Sequence, residues 1–168
     1  DYLAYLSRLK EARRAMGQML ELARRNADDG YRMPRFAYDG VLKEARAVVT
    51  GAPFDEGSDS ALWADLQAKA DGLVNSGAID GGRATALKTQ AREALLANIQ
   101  PAYRALIAWA EEDRAEAIDN PSGVGTTQPD GKDYYRHQLR MHTTTDLDAE
   151  AVHRIGLDEV ARIHGEME

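Results

Sequence analysis

The chain has 168 residues and a formal net charge of −7, with 43% hydrophobic and 29% charged residues. This composition is typical of a soluble folded domain and excludes an intrinsically disordered chain. The acidic balance, without a cluster of Lys and Arg, argues against binding of nucleic acid. The absence of cysteine excludes disulfides, cysteine-ligated zinc and cysteine nucleophiles within this sequence.

No apolar run approaches the roughly 20 residues of a membrane span. The first residue is Asp1 rather than methionine, and helix-like sequence reaches both ends. We therefore expect a helical fragment of a larger protein, formed as one unit over residues 1–168. The compartment stays open, because a fragment carries no information about a leader sequence.

Abundant Ala, Leu, Arg and Glu, with only 2 Phe, favour an all-α fold. The first helix is expected from Tyr2 to about Ala27, because its apolar residues recur at steps of three, four and seven. These residues are Leu3, Leu6, Leu9, Met16, Leu20 and Ala23. A loop that ends the helix at Gly30 and contains Pro34 leads to a short helix from about Gly40 to Val49.

Capping residues predict where the next helices begin. The segment Ser58-Asp59-Ser60 precedes one helix, and Asp80 precedes a long helix that runs to about Ile118. Pro101 lies inside the long helix, where it has no N–H for the carbonyl of Ala97, so we expect a kink or a break there. Residues 120–131 are expected to form an internal loop. The prediction is an irregular helical bundle of about 5–7 helices.

Four histidines lie in the last third of the chain: His137, His142, His153 and His164. His153 and His164 share a helix face but lie about 16 Å apart along the axis, too far to bind one ion together. Glu150 and His153 have the spacing that di-iron bundles use, but the second copy that such sites need is absent. We assign no catalytic and no metal-binding residue, and the roles of the histidines stay open.

The segment from Pro129 to the last helix is the most specific part of the sequence. Tyr134 and Tyr135 are candidates for contacting a substrate, although adjacent helical residues point about 100° apart and at least one is expected in the core. Thr143 and Thr144 are further candidates, with a local capping role before Asp148 as the alternative. In the last helix an apolar stripe is expected to be core. It consists of Val152, Ile155, Ile163 and Met167.

These residues resemble the bacterial family called domain of unknown function 885. The resemblance is carried by Pro129-Asp130-Gly131, Tyr134-Tyr135, the Thr segment at 143–145 and the final helix at 152–167, where His153 is followed by Ile155-Gly156-Leu157. Earlier segments, such as Gln100-Pro101-Ala102-Tyr103, are compatible with it. The resemblance covers essentially the whole chain.

The resemblance implies a mostly helical protein similar to zinc-dependent metallopeptidases of the gluzincin type, exported or lipid-anchored in many members. The zinc site expected in that family is a His-Glu-x-x-His helix, with a glutamate as general base for a zinc-bound water. That motif lies beyond the stretch corresponding to this chain, so no zinc ligand is carried over. The resemblance implies a scaffold and one wall of a peptide-substrate cleft, with the remainder of the parent chain as partner. The alternative is a self-contained, non-catalytic helical interaction module. In both cases the chain could self-associate through exposed apolar surface.

Overall fold

The computed structural model describes residues 2–119 and 122–167, and these residues form an all-α fold, as predicted. The helices are α1 (Tyr2–Asp28), α2 (Arg35–Val48), α3 (Ala61–Asn75), α4 (Gly81–Ala94), α5 (Gln100–Asp113), α6 (Val124–Thr127), α7 (Gly131–Thr143) and α8 (Ala149–Met167). Seven of them are longer than one turn, within the expected range. The β-pairing in the described residues amounts to an isolated bridge between Ala52 and Asp59.

The chain divides into two compact units, an N-terminal unit of residues 1–119 and a C-terminal unit of residues 120–168. The division falls at the start of the predicted loop. Of that loop, residues 120 and 121 lie outside the described residues, and the remainder contains the short helix α6.

A hydrophobic core holds the N-terminal unit together. Its larger cluster joins α1, α3, α4 and the turn after α4 through residues that include Leu6, Leu9, Leu66, Leu87 and Leu95. The Tyr2 hydroxyl adds a buried hydrogen bond of 3.1 Å to the Leu66 carbonyl, which ties the start of α1 to α3. Apolar burial of this kind is the main favourable term in folding.

Local signals in the sequence explain most helix ends. The Ser60 hydroxyl accepts from the Trp63 N–H and caps α3, and the Asp80 carboxylate accepts from the Arg83 N–H and caps α4. Gly30 has φ of +89°, which is a left-handed conformation that suits glycine at the end of α1. The two caps and the helix end at Gly30 were predicted from the sequence and are confirmed.

The start of α2 was predicted wrongly. It begins at Arg35, not near Gly40, with Pro34 at its N-cap. Proline has the φ that precedes a helix and needs no N–H partner there, so Pro34 starts the helix rather than extending the loop. The early start gives α2 the turn that buries Tyr38.

The interruption predicted at Pro101 is present as a π-helical turn at Leu95–Ile99, which joins α4 to α5. The Gln100 N–H bonds to the carbonyl of Leu95, five residues back, and the Asn98 side chain donates to the Ala94 carbonyl at 3.0 Å. The wider turn gives the backbone room ahead of the proline ring. The helix then continues to Asp113 and ends in a 3₁₀ turn at Arg114–Glu116, slightly short of the predicted Ile118.

A buried carboxylate fastens α2 to α5. Asp113 accepts from the Tyr38 hydroxyl, and its other oxygen accepts from Arg32 Nε at 2.9 Å. Burial raises the pKa of Tyr38 above its ordinary value, and the bond to Asp113 raises it further. Since a buried charge is costly unless it is paired, this cluster fixes how α2 lies on α5.

The apolar stripe of α8 was expected in the core and is not. None of its described residues is buried, and Ile155, Ile163 and Met167 are 52%, 44% and 80% exposed. Val152, at the start of the stripe, is half-buried. The spacing of the stripe is that of an apolar helix face, but burial needs a partner surface, and the described residues leave the other three side chains exposed.

Candidate functional site

An open groove of about 1020 Å³ lies in the C-terminal unit. One side is formed by Ser122, Gly123 and residues 124–126 of α6. Another is formed by Lys132, Tyr135, Arg136 and Leu139 of α7. The start of α8, residues 148–150, completes the lining.

The groove exists because α6 packs directly on the start of α7. A Cβ added to Gly131 would lie 1.8 Å from the Val124 carbonyl oxygen, so only glycine fits there. A Cβ added to Gly125 would lie 3.9 Å from the Tyr135 Cβ, which is an ordinary van der Waals distance. The glycine of Pro129-Asp130-Gly131 therefore has a packing role that sets the position of Tyr135.

The groove has charges of both signs, and most of them are engaged. Arg136 pairs with Asp133 at 3.2 Å, Glu150 pairs with Arg154 at 3.3 Å, and the Asp148 carboxylate caps α8 by accepting from the Ala151 N–H at 2.8 Å. Among the described residues Lys132 forms no ion pair. The groove thus offers one uncommitted cation beside an aromatic ring.

The structure separates the two tyrosines that the sequence placed together. Tyr135 lines the groove and is 43% exposed, whereas Tyr134 is 52% exposed and lies outside the lining. The expectation that at least one of them packs in a core is wrong for the described residues. Their roles as substrate contacts stay predictions.

The threonines form the C-terminal cap of α7. Thr144 has φ of +56° and its N–H bonds to the Arg140 carbonyl at 2.9 Å. The Thr143 hydroxyl donates to the Leu139 carbonyl at 2.8 Å, and it also accepts from the Thr145 N–H. These threonines thus bond backbone groups nearby, as in the capping role that was the alternative to substrate contact. Neither Thr143 nor Thr144 lines the groove.

All four histidines are exposed, and none lines the groove. Within residues 2–119 and 122–167, no three His, Asp or Glu side chains converge as metal ligands.

Sequence reasoning missed Lys132, Arg136 and Leu139. They share one face of α7 with Tyr135 because their spacing is three or four residues, and this spacing was a usable signal. The contribution of residues 123–126 could not be read in this way, since it depends on the packing of Val124 against Gly131.

Comparison with known protein families identifies the family of this chain. The model of the family described as "Bacterial protein of unknown function (DUF885)" matches residues 1–168. The chain belongs to this family. The resemblance predicted from the sequence is thereby confirmed, while its relation to gluzincin peptidases stays a prediction.

A solved structure has the same fold. The crystal structure of "the putative lipoprotein from Colwellia psychrerythraea" matches with a TM-score of 0.73 and 24% identity. The match covers 99% of this chain and 27% of that chain, so the present chain spans about a quarter of the neighbour's length. No curated protein matches the chain. In the described residues no helix is long and apolar enough to cross a bilayer.

Proposed function

We propose that this chain is a helical segment of a zinc-dependent, peptidase-like hydrolase, in which it acts as scaffold and as one wall of the substrate cleft. The segment is not catalytic by itself. The single observation that carries the proposal is the groove of about 1020 Å³ beside the close contact of Val124 with Gly131, a residue of the segment on which the resemblance to the family rests.

The groove has the character of a peptide-binding surface. Its volume is at the upper end of the roughly 300–1,000 Å³ of ligand sites, and it combines an apolar floor with a few polar groups. Tyr135 and Leu139 offer apolar contact, and Lys132 offers an ammonium group to a carboxylate of the substrate.

In this proposal the zinc ion is bound outside this chain, as the family resemblance implies. When bound, zinc would polarise the scissile carbonyl and activate a water molecule. The residues of this chain would bind and orient the peptide beside that centre. The partner is the remainder of the parent chain, and a periplasmic or lipid-anchored location is part of the proposal.

The experiment that tests the function is the intact mass and zinc content of the natural gene product. We expect a mass well above 18.5 kDa, about one zinc ion per molecule, and peptide hydrolysis that a chelator abolishes. A product close to this mass and free of metal, without peptidase activity, would overturn the proposal.

The groove itself is tested by peptide binding to the natural protein inhibited with a chelator. Tyr135→Ala should weaken binding by about three- to tenfold, since an aromatic contact is worth about 0.5–1.5 kcal/mol. Tyr134→Ala is the matched control and should change the affinity by less than about twofold, because this neighbour lies outside the groove. Equal effects of the two variants would remove the groove from the substrate path.

A second candidate function is a non-catalytic helical interaction module. The exposed apolar stripe of α8 favours it, since large exposed apolar patches mark surfaces for partners. The measurement of mass and zinc separates the two candidates.

A further inference from the structure

Helix α8 is exposed along most of its length. Only its first residues line the groove of the C-terminal unit, and every residue from His153 to Met167 is exposed. Because residues three, four and seven apart share a helix face, the large apolar side chains of this part form one stripe. They are Ile155, Val160, Ile163 and Met167, and the least exposed of them is 44% exposed.

A helix with this pattern depends on a surface that covers its apolar face. Helices of roughly 12–15 residues are marginal on their own in water, and most helical stability in proteins comes from packing of an amphipathic face. The ion pairs of α8 do not replace that packing. Arg162 pairs with Glu159 and Glu166 on the helix itself, and such exposed pairs contribute little to stability.

A lipid surface matches the stripe poorly. Amphipathic helices that lie on membranes are rich in Lys and Arg on their polar face, and anionic lipid headgroups attract them. Helix α8 has no lysine, two arginines and four carboxylates, a formal net charge of −2 with neutral histidines. Its charge therefore favours a protein surface over an anionic membrane.

The area of the stripe decides between a separate chain and a segment of the same polypeptide. Helix α8 has 19 residues, so it is about 28 Å long, and half of its cylindrical surface is on the order of 500 Å². Stable interfaces between separate chains bury about 800 Å² on each partner. The stripe alone is too small for such an interface.

A segment of the same polypeptide needs less area. Docking within one chain avoids most of the translational and rotational cost of association, and the covalent connection supplies a high effective concentration. The solved neighbour shows how much chain can accompany this fold, because roughly three quarters of that chain lies outside the match. A natural protein of similar length has ample chain to cover the stripe.

We propose that the stripe of α8 is an intramolecular docking surface, covered in the natural protein by an apolar surface of the polypeptide outside these 168 residues. The inference rests on the proposed function in one respect, that the natural protein is longer than this chain. It requires neither zinc nor peptide hydrolysis. It identifies the surface by which this segment packs against the remainder of its protein.

The test is alkylation of single cysteines in the natural protein by N-ethylmaleimide, read by mass spectrometry of the α8 peptide. These 168 residues contain no cysteine, so Ile163→Cys adds one defined site. Its alkylation should be at least about tenfold slower than that of Ala161→Cys, because a covered thiol reacts only after local opening. Ala161 is the matched control, since it is exposed and lies on the opposite face of α8. Ile155→Cys is a second probe on the stripe and should be protected like Ile163→Cys.

The same variants in the 168-residue chain at low micromolar concentration should all react at similar rates. Equal alkylation of Ile163→Cys and Ala161→Cys in the natural protein would overturn the proposal. Protection of Ile163→Cys in the 168-residue chain, or protection in the natural protein that is lost on dilution, would also overturn it, because the cover would then be this chain or a second copy. A protected stripe in a natural protein without zinc or hydrolysis would support this proposal and overturn only the proposed function.

Discussion

The two units are stabilised in different ways. In the N-terminal unit, buried side chains form two clusters, and polar ties such as Tyr38 to Asp113 join residues 75 positions apart. Among the described residues of the C-terminal unit only Gly131 is buried, and ion pairs such as Arg154 with Glu150 join neighbours on one helix. The difference indicates that burial of apolar side chains stabilises the first unit much more than the second.

The largest expected effect is the contrast between two apolar truncations. Leu66→Ala should lower the free energy of unfolding by about 2–5 kcal/mol, because Leu66 is 0% exposed and its removal leaves a cavity. Ile163→Ala should change it by no more than about 0.5 kcal/mol, since Ile163 is 44% exposed. Urea denaturation of both variants at low protein concentration measures the two values.

Similar losses for the two variants would mean that α8 contributes to a common core. The comparison between the units would then be wrong.

A second contrast lies within the C-terminal unit, between two glycines. Gly131→Ala should loosen the contact between α6 and α7 and cost about 1–3 kcal/mol, because the new methyl group would collide with the Val124 carbonyl. Gly156 has open space around it, so Gly156→Ala should stabilise α8 by up to about 1 kcal/mol. Circular dichroism measures the helix content and stability of both variants. Peptide affinity measures whether the groove keeps its shape.

If Gly131→Ala left the peptide affinity unchanged, the packing of α6 on α7 would not shape the groove. Gly156→Ala is the control for the general effect of replacing a glycine by alanine in this unit.

The pH dependence of stability reports on the buried phenol of Tyr38 in the N-terminal unit. The pKa of Tyr38 is raised in the folded chain, so above the ordinary tyrosine pKa of about 10 the unfolded chain loses a proton that the folded chain keeps. Stability should be constant below that pH and fall above it by up to about 1.4 kcal/mol per pH unit for this residue. Tyr38→Phe should reduce the slope, and denaturant titrations from pH 8 to 11 measure it.

An unchanged slope in Tyr38→Phe would show that burial and the bond to Asp113 do not raise the pKa of Tyr38 in the folded chain. Tyr2 and Tyr5, whose pKa values burial also raises, would then account for the whole dependence.

Much of the fold could be predicted because its signals are local. A cap such as Ser60, Asp80 or Asp148 needs only a side chain and a backbone N–H two or three residues away. The interruption before Pro101 follows from the chemistry of one residue. The start of α2 at Arg35 was missed because proline is compatible with both a loop and a helix start.

The candidate site could be predicted less well. Tyr135 was found by its residue type, and its partners on α7 follow from helical spacing. The other wall depends on a contact between Val124 and Gly131, which no periodicity encodes. The burial of the α8 stripe was predicted wrongly for a related reason, because a pattern indicates that a face is apolar and not what covers it.

The most direct test of the contrast between the units is amide hydrogen exchange of the chain at low micromolar concentration, read residue by residue. The account predicts that amides near Leu66 and Leu95 exchange only through global unfolding, while those of α7 and α8 exchange through local opening at a much lower free energy. Protection in α8 equal to that at Leu95 would contradict it, and would mean that the C-terminal unit shares the stability of the core.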